Sequence, residues 1–171
     1  MRQDVRIILT VALALVAFGA TVLAQGVAGA PMRLTTEFRG PGMCLDVVNG
    51  GEINNQTWLQ PCGNFTGQRW IATPAGNGYQ TLTTEFRGPG MCLDVVNGGP
   101  RNNRTELRPC GNFTGQHWRL TSDGSGAIRL TTEFRGPGMC LDVVNGGPDD
   151  AQTELRPCGN FTGQLWHSSP P

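Results

Sequence analysis

The stretch LTTEFRGPGMCLDVVNGG, at Leu34–Gly51, decides the architecture of this chain because it occurs three times. It recurs without change at Leu82–Gly99 and Leu130–Gly147, and each copy is followed by PCGNFTGQ, one variable residue and Trp. The period is 48 residues. Repeats of this length are supersecondary units that bury their apolar faces against neighbouring copies. We therefore predict a closed threefold body, with repeats at about 32–79, 80–127 and 128–171.

The first residues differ in composition from the repeats. Arg2 and Arg6 precede an almost wholly apolar run, which ends in the small residues Val22-Leu23-Ala24. This pattern is typical of a secretory signal that is cleaved after Ala24, with Ala30 as a second candidate position. A retained membrane anchor is the alternative, since the run could reach the length of a bilayer. The predicted division is a signal peptide at 1–24, a linker at 25–31 and one domain at 32–171.

The composition of the chain narrows the classes of partner. Thirteen basic residues balance thirteen acidic ones, so neither a nucleic acid nor an anionic membrane surface is expected as a partner. After removal of the signal, no remaining segment is long enough to span a membrane. We predict a secreted, extracellular monomer that needs no cofactor.

Six cysteines in a chain with a secretory signal indicate disulfides. Threefold repetition leaves two connectivities that treat the repeats alike. One pairs the cysteines within repeats, as Cys44–Cys62, Cys92–Cys110 and Cys140–Cys158. The other links successive repeats, as Cys62–Cys92, Cys110–Cys140 and Cys158–Cys44. No metal site is predicted, because the chain has no CxxC motif, and His117 and His167 occupy different places in their repeats.

Gly, Pro and Asn interrupt every repeat, and no segment has a long helical period. The pattern predicts four short strands per repeat. In repeat 2 these strands are Leu82–Phe86, Met91–Val96, Thr105–Cys110 and Gln116–Thr121. Twelve strands in three equal sets, without a helix, predict an all-β protein with pseudo-threefold symmetry, a β-trefoil. A three-bladed propeller is the alternative, although propellers usually have more blades.

Alternation along the middle strands of a repeat assigns Leu93, Val95 and Leu107 to the core. If Cys92 lies opposite Cys110 in an antiparallel hairpin, Asp94 faces Arg108. The same register makes three further pairs: Asp142 with Arg156, Asp46 with Gln60, and Val48 with Trp58. The carboxylates of repeats 2 and 3 are then neutralised by arginine and that of repeat 1 is free. On this basis, repeat 1 is expected to bind a ligand most strongly.

The combination of CLDV, a Gly/Asn turn, TxLxPC and QxW, three times in phase, resembles the ricin B-type lectins and the related carbohydrate-binding modules of bacterial glycosidases. The resemblance covers about Met32 to Trp166. It implies a β-trefoil, carbohydrate as the partner, and disulfides of the within-repeat kind.

The resemblance also implies a sugar site in each repeat. The family's aspartate after the first cysteine matches Asp46, Asp94 and Asp142, and such a carboxylate accepts hydrogen bonds from neighbouring sugar hydroxyls. The family's stacking aromatic, two residues before the second cysteine, is replaced by Gln60, Arg108 and Arg156. Its asparagine before QxW is replaced by Gly67, Gly115 and Gly163.

Other side chains are candidates to replace these missing ligands. Trp58 is expected on the outward face beside Asp46, and the phenylalanines of the GNFTG turns are expected beside the pockets. Arg108 and Arg156 can stack on a ring or bind a carboxylate or sulfate. The asparagines of the GNFTG turns, which can donate and accept, are Asn64, Asn112 and Asn160. The Gln and Trp of QxW are predicted to be structural: Gln68, Trp70, Gln116, Trp118, Gln164 and Trp166.

These observations predict a non-catalytic lectin with up to three sugar sites. An enzyme is not expected, because the repeats offer neither a nucleophile beside a base nor a desolvated pair of carboxylates. The alternative is a trefoil that has lost sugar binding and binds a protein, for example as a secreted protease inhibitor. Its contacts would then be the loops that differ between copies: Glu52–Gln56, Pro100–Arg104 and Pro148–Gln152.

Overall fold

The computed structural model describes residues 28–171. The predicted signal peptide, residues 1–24, lies outside the described residues. Residues 28–171 form twelve strands: β1 (Arg33–Thr36), β2 (Gly40–Val47), β3 (Thr57–Pro61), β4 (Trp70–Gly76), β5 (Tyr79–Thr84), β6 (Met91–Val95), β7 (Thr105–Pro109), β8 (Trp118–Ser122), β9 (Ile128–Thr132), β10 (Gly136–Val143), β11 (Thr153–Pro157) and β12 (Trp166–Ser169). Each repeat contributes four of them, as the sequence predicts.

Six of the strands close into a barrel. β1 pairs with β12, and β12 also contacts β9. β9 pairs with β8, β8 with β5, and β5 with β4. A bridge between Met32 and Trp70 completes the ring from β4 back to the segment before β1. The architecture is the predicted β-trefoil.

The other six strands form three hairpins, β2–β3, β6–β7 and β10–β11. The hairpins meet on the pseudo-threefold axis at Thr57, Thr105 and Thr153. The hydroxyls of these fully buried threonines lie 2.6 Å from one another. One polar ring therefore joins the three repeats.

Tryptophan and leucine fill the core in threefold layers. The tryptophans of QxW are fully buried, as are Leu34, Leu82 and Leu130. A buried indole N–H needs an acceptor. Trp70 donates to the Leu45 carbonyl at 2.8 Å, and Trp118 and Trp166 repeat this bond in their own repeats. Leu93, Val95 and Leu107 lie in the same core, as alternation predicts.

The disulfides lie within the repeats, as Cys44–Cys62, Cys92–Cys110 and Cys140–Cys158. In each pair the Cα atoms are 5.0 Å apart. This is the connectivity that the resemblance implies. Each disulfide fastens the end of one hairpin strand to its partner strand.

The predicted register of the hairpins is wrong by two residues. Asp94 lies opposite Glu106, and Cys92 lies opposite Arg108. The predicted register places the two cysteines of a disulfide directly opposite each other, whereas the disulfide joins residues that are not opposed. Cys110 lies beyond the end of β7, where its N–H donates to the Gly90 carbonyl, and its bond to Cys92 is diagonal.

The same shift applies in the other two repeats. Asp46 lies opposite Trp58 rather than Gln60, and Asp142 lies opposite Glu154 rather than Arg156. Neither Asp94 nor Asp142 is therefore neutralised by a cross-strand arginine. The observed register therefore gives no reason for repeat 1 to bind a ligand most strongly.

The fourth strand of each repeat starts later than predicted. In repeat 2, Gln116 lies in a short 3-10 helix, Thr114–Gln116, and the strand begins at Trp118. Equivalent 3-10 helices occur at Thr66–Gln68 and Thr162–Gln164. None of the helices in residues 28–171 has the length and apolar character needed to cross a bilayer.

The loops that differ between repeats are fastened to neighbouring repeats. Asn55, Asn103 and Ala151 have a positive φ of about 70°, and the backbone carbonyl of each accepts an N–H of the next repeat at an N···O distance of 2.8 Å. The donors are Leu107, Leu155 and Leu59, in that order. At this point each loop is therefore hydrogen-bonded to the neighbouring repeat.

Candidate functional site

A carboxylate lies at equivalent positions of all three repeats. Asp46 Oδ1 accepts the backbone N–H of Val47 at 2.7 Å, and Oδ2 accepts the Gln68 side-chain amide at 2.9 Å. Asp94 and Asp142 make the same two bonds to their own repeats, at 2.7 and 3.0 Å. Asp46 is partly exposed, whereas Asp94 and Asp142 are 7% and 6% exposed. The carboxylates are thus fixed in orientation by bonds to their own repeats.

The glutamine of QxW holds this carboxylate in place. Gln68 is fully buried; its Oε1 accepts the Gly63 N–H, and its Nε2 donates to the Pro61 carbonyl as well as to Asp46. Gln116 and Gln164 repeat all three bonds. The QxW motif therefore orients the site as well as supporting the core, a link that the sequence did not suggest.

The glycine before QxW leaves room for the carboxylate. A β-carbon at Gly67 would lie 2.2 Å from Asp46 Oδ1. The corresponding distances at Gly115 and Gly163 are both 2.3 Å. In this structure the position of the family's asparagine is thus closed to any side chain.

Cavities open beside each carboxylate. In repeat 2 the cavity has a volume of about 630 Å³ and is bordered by Asp94, Arg108, Asn112 and Phe113. In repeat 3 it measures about 360 Å³ and is bordered by the equivalent Asp142, Arg156, Asn160 and Phe161. In repeat 1, two cavities of about 480 and 240 Å³ share Asp46 and Phe65, and Gln60 borders the larger. Most of the predicted site residues therefore converge on these cavities.

The phenylalanines of the GNFTG turns are unusually exposed. Phe65, Phe113 and Phe161 are 59–60% exposed. Each ring folds over the glycine two residues before it: a β-carbon at Gly63 would lie 2.4 Å from the Phe65 ring. Each turn therefore presents a flat apolar surface beside the cavity.

A second phenylalanine comes from the following repeat. Phe86 borders the smaller cavity of repeat 1, Phe134 that of repeat 2, and Phe38 that of repeat 3. The Phe86 N–H donates to the Thr66 carbonyl at 3.2 Å, which fastens it beside the turn of repeat 1. The sequence did not predict these residues, because only the closed arrangement of the three repeats determines which repeat lies beside each pocket. It also missed Asn49, Asn97 and Asn145, which border the same cavities.

An arginine covers each of these second phenylalanines. The Arg87 guanidinium lies 4.2 Å from the centroid of the Phe86 ring, and its Nη2 donates to Asn54 Oδ1 of repeat 1 at 2.6 Å. Arg135 stacks on Phe134 and bonds Asn102 in the same way. Arg39 stacks on Phe38 and bonds Asp150. The arginines thus tie the aromatic wall of each pocket to the loop of the preceding repeat.

Two predicted ligands lie elsewhere. The half-buried Trp58 packs against the core, and its indole N–H donates to the Asp150 carbonyl at 2.5 Å, so Trp58 borders neither cavity of repeat 1. Asn64 accepts a bond from Arg69 and likewise lies outside both cavities. The positions equivalent to Arg69 are His117 and Leu165, and there Asn112 and Asn160 do border the cavities.

The arginines at the rims of two pockets pair with a glutamate on their own strand. Arg108 Nε donates to Glu106 Oε1 at 2.7 Å, and Arg156 Nε donates to Glu154 Oε1. The described residues contain no group of three or more His, Cys, Asp or Glu side chains arranged to hold a metal ion.

Family comparison identifies the class of domain. The profile of the ricin-type β-trefoil lectin domain matches residues 31–125 and again residues 80–170. The chain belongs to this family. The family is one of lectin domains, which agrees with the CLD and QxW motifs of the repeats. A search of curated protein sequences finds no significant match.

Solved structures show the same fold at low identity. The designed threefold symmetric protein ThreeFoil has 24% identity and a TM-score of 0.68, over 82% of this chain and 99% of its own. A ricin B-like lectin of Macrolepiota procera, solved with lactose, has 20% identity and a TM-score of 0.63, over 88% and 100%. A non-toxic homologue of type II ribosome-inactivating proteins from Momordica charantia, solved with α-methyl-D-galactoside, has 18% identity and a TM-score of 0.58, over 84% and 48%.

Proposed function

We propose that this protein is a secreted, non-catalytic lectin that binds carbohydrate in three pockets, one per repeat. The observation that carries the proposal is the fixed carboxylate beside an exposed phenylalanine, present three times. Family membership and neighbours solved with lactose and a galactoside support a sugar as the ligand.

The carboxylate is suited to a pair of sugar hydroxyls. An ionised carboxylate has about four acceptor positions. Asp46 uses one on each oxygen, for Val47 and Gln68, and its carboxylate borders both cavities of repeat 1. The phenylalanine beside it offers an apolar plane to the C–H face of the sugar ring. The same pairing occurs at Asp94 with Phe113 and at Asp142 with Phe161.

Having three pockets raises the affinity of such a protein for glycans that present several sugars. The pockets are open, and few polar groups converge in each, so a single sugar is expected to bind with a Kd of about 1 mM. Three pockets on one rigid body raise the affinity for clustered glycans through effective concentration. A monomer then suffices to cross-link glycan-bearing surfaces.

The proposal includes export of the chain. Cleavage after Ala24 would release a mature protein that begins at Gln25, and the three disulfides suit an oxidising compartment. Mass spectrometry of culture medium should give this N-terminus. An intact Met1 in the membrane fraction would instead support the anchor.

A glycan array with the mature protein tests sugar binding, and calorimetry with a monovalent sugar gives the affinity per pocket. Phe65→Ser, Phe113→Ser and Phe161→Ser together should abolish agglutination of glycan-coated beads, and these exposed rings can be removed without opening the core. Thr121→Ala, an exposed strand residue that borders none of the described cavities, is the matched control. Capture of one protein that free sugars do not displace would favour the protein-binding alternative.

A further inference from the structure

The three pockets differ in charge although their surroundings are nearly identical in sequence. At the rim, repeat 1 has Gln60 where repeats 2 and 3 have Arg108 and Arg156. We propose that the pockets of repeats 2 and 3 select sugars that carry an anionic substituent, a carboxylate or a sulfate, whereas repeat 1 takes neutral sugars. This inference rests on the proposed function and assigns a ligand class to each of its pockets.

The Arg108 guanidinium is held with its outer edge free. Its Nε is engaged by Glu106, which fixes the plane of the group, and no acceptor for Nη1 or Nη2 occurs among residues 28–171. The side chain is 44% exposed and borders the cavity of repeat 2. Two parallel N–H donors at that edge match the oxygens of a carboxylate or sulfate.

Arg101 preserves the positive charge of this rim. It forms an ion pair with the second oxygen of Glu106 at 2.8 Å, so one glutamate is shared by two arginines. Arg101, Glu106 and Arg108 together carry a net charge of about +1. In repeat 1, Trp58 and Gln60 stand at the equivalent strand positions, and Asp46 has no arginine beside it in the cavity.

Repeat 3 is intermediate. Glu154 is shared by Arg156 and Arg104, but Arg104 also pairs with Asp149 at 2.9 Å. This group of four residues is neutral overall, whereas the group in repeat 2 is positive. The preference for an anionic sugar should therefore fall in the order repeat 2, repeat 3, repeat 1.

The register places the two kinds of ligand group side by side. Asp94 lies opposite Glu106, so Arg108 is its diagonal neighbour on the partner strand. Diagonal neighbours are about 7–8 Å apart between Cα atoms. One sugar can thus place ring hydroxyls on Asp94 and a charged substituent on Arg108, which also keeps the two negative groups apart.

Site-resolved titration tests the assignment. The backbone amides of Val47, Val95 and Val143 each donate to the aspartate of one pocket and border its cavity, so their NMR shifts in ¹⁵N-labelled protein report the pockets separately. The probes are methyl galactoside, methyl galacturonide and galactose 6-sulfate, which have the same sugar ring and differ in the charge of the group at C6. At Val95 an acidic probe should bind about tenfold more tightly than the neutral one, since charge-assisted hydrogen bonds are about twice as strong as neutral ones.

Exchange of one residue between repeats supplies the decisive comparison. Arg108→Gln should remove the acidic preference at Val95, and Gln60→Arg should create one at Val47. Arg119→Gln, which removes a guanidinium that stacks on Tyr79 and borders none of the described cavities, should leave the acidic-to-neutral ratio unchanged. The preference should also weaken as salt is raised.

The outcomes separate the inference from the proposed function. If only one of the two acidic probes binds more tightly than the neutral probe, its anionic group, carboxylate or sulfate, is the one that the pocket recognises. Equal affinities for neutral and acidic probes in all three pockets overturn the inference and leave the lectin proposal standing. No shift at any of the three amides with any of the probes, or on a glycan array, overturns both.

Discussion

The Asp46 carboxylate occupies the space that a side chain at position 67 would fill. A β-carbon on Gly67 would lie 2.2 Å from Asp46 Oδ1, well inside van der Waals contact. The carboxylate is held there by Val47 and Gln68. Gly67 is 21 positions from Asp46 in the sequence, yet the carboxylate of Asp46 can take this position only because residue 67 has no side chain.

Gly67→Ala should therefore disable the pocket of repeat 1. The carboxylate must move, which breaks its bonds to Val47 and Gln68 and costs about 1–3 kcal/mol of unfolding free energy. Sugar binding reported by the Val47 amide should be lost, while Val95 and Val143 keep theirs. Urea unfolding and NMR titration measure the two effects.

Gly42→Ala is the matched control. Gly42 lies on the same strand as Asp46, and nothing lies within 4 Å of the β-carbon that the substitution adds. It should change neither the stability by more than about 0.5 kcal/mol nor the affinity of any pocket. Normal binding by Gly67→Ala would show that the carboxylate placement is not required.

The threonine ring should respond non-additively to substitution. The hydroxyls of Thr57, Thr105 and Thr153 lie 2.6 Å apart, and each also lies within reach of a neighbouring carbonyl. Thr105→Val leaves two buried hydroxyls with an incomplete ring and should cost about 1–2 kcal/mol. Replacement of all three by Val removes every hydroxyl together and should cost less than three times that amount.

Urea unfolding with the disulfides intact measures these costs, and Thr121→Val on an exposed strand is the control. A triple variant whose cost equals the sum of three single variants would mean that the hydroxyls act independently.

Asp150 should make the junction between repeats 3 and 1 sensitive to acid. The backbone N–H of Gly146, and then the Arg39 side chain, hold the pKa of Asp150 below its ordinary value. A carboxyl whose pKa is lowered by folding stabilises the protein above its unfolded pKa, about 3.9, and loses this contribution as the pH falls through the folded pKa. The contribution of Asp150 is therefore present at neutral pH and is lost progressively as the pH falls below about 4.

Asp150→Asn tests this assignment with the chain's own residues. Asn54 and Asn102 occupy the equivalent positions and accept the equivalent bonds from Gly50 and Gly98 at 2.7 Å. The variant should therefore fold at neutral pH and lose less stability than the parent between about pH 5 and pH 2. Asn102→Asp should show the reverse. Parallel acid profiles for parent and both variants would contradict the assignment.

The threefold sequence repeat was sufficient to predict the architecture, whereas the packing between repeats could not be predicted from the sequence. Three copies with four strand patterns each were enough for the β-trefoil and for a core that includes Leu93 and Leu107. The hairpin register was missed because Cys92 and Cys110 fix the proximity of two strands without fixing which residues are opposed. Similar disulfides can join direct or diagonal neighbours.

The candidate site shows the same division. Asp46 and its copies follow from the CLD motif, and Arg108 and Arg156 follow from their place before the second cysteine. Phe86 could not be assigned to the pocket of repeat 1 from the sequence, because only the closed ring shows which repeat lies beside which pocket. Trp58 was misplaced for a related reason, since its partner, Asp150, is supplied by another repeat.

The closed arrangement predicts that each phenylalanine of the EFRG segment serves the pocket of the preceding repeat. Phe86→Ala should weaken sugar binding at Val47 by about two- to tenfold, since an aromatic contact of this kind contributes about 0.5–1.5 kcal/mol. The amide of Val95, in the repeat to which Phe86 belongs, should be unaffected. Phe134→Ala should act in the same way on Val95, and Phe38→Ala on Val143.

Phe86→Leu separates stacking from folding, because it keeps an apolar side chain under the Arg87 guanidinium but removes the flat ring. It should show most of the loss of affinity with a smaller loss of stability than Phe86→Ala. If Phe86→Ala weakened the response of Val95 instead of Val47, the pocket would belong to a single repeat, and the aromatic wall would have to be sought in Phe113 alone.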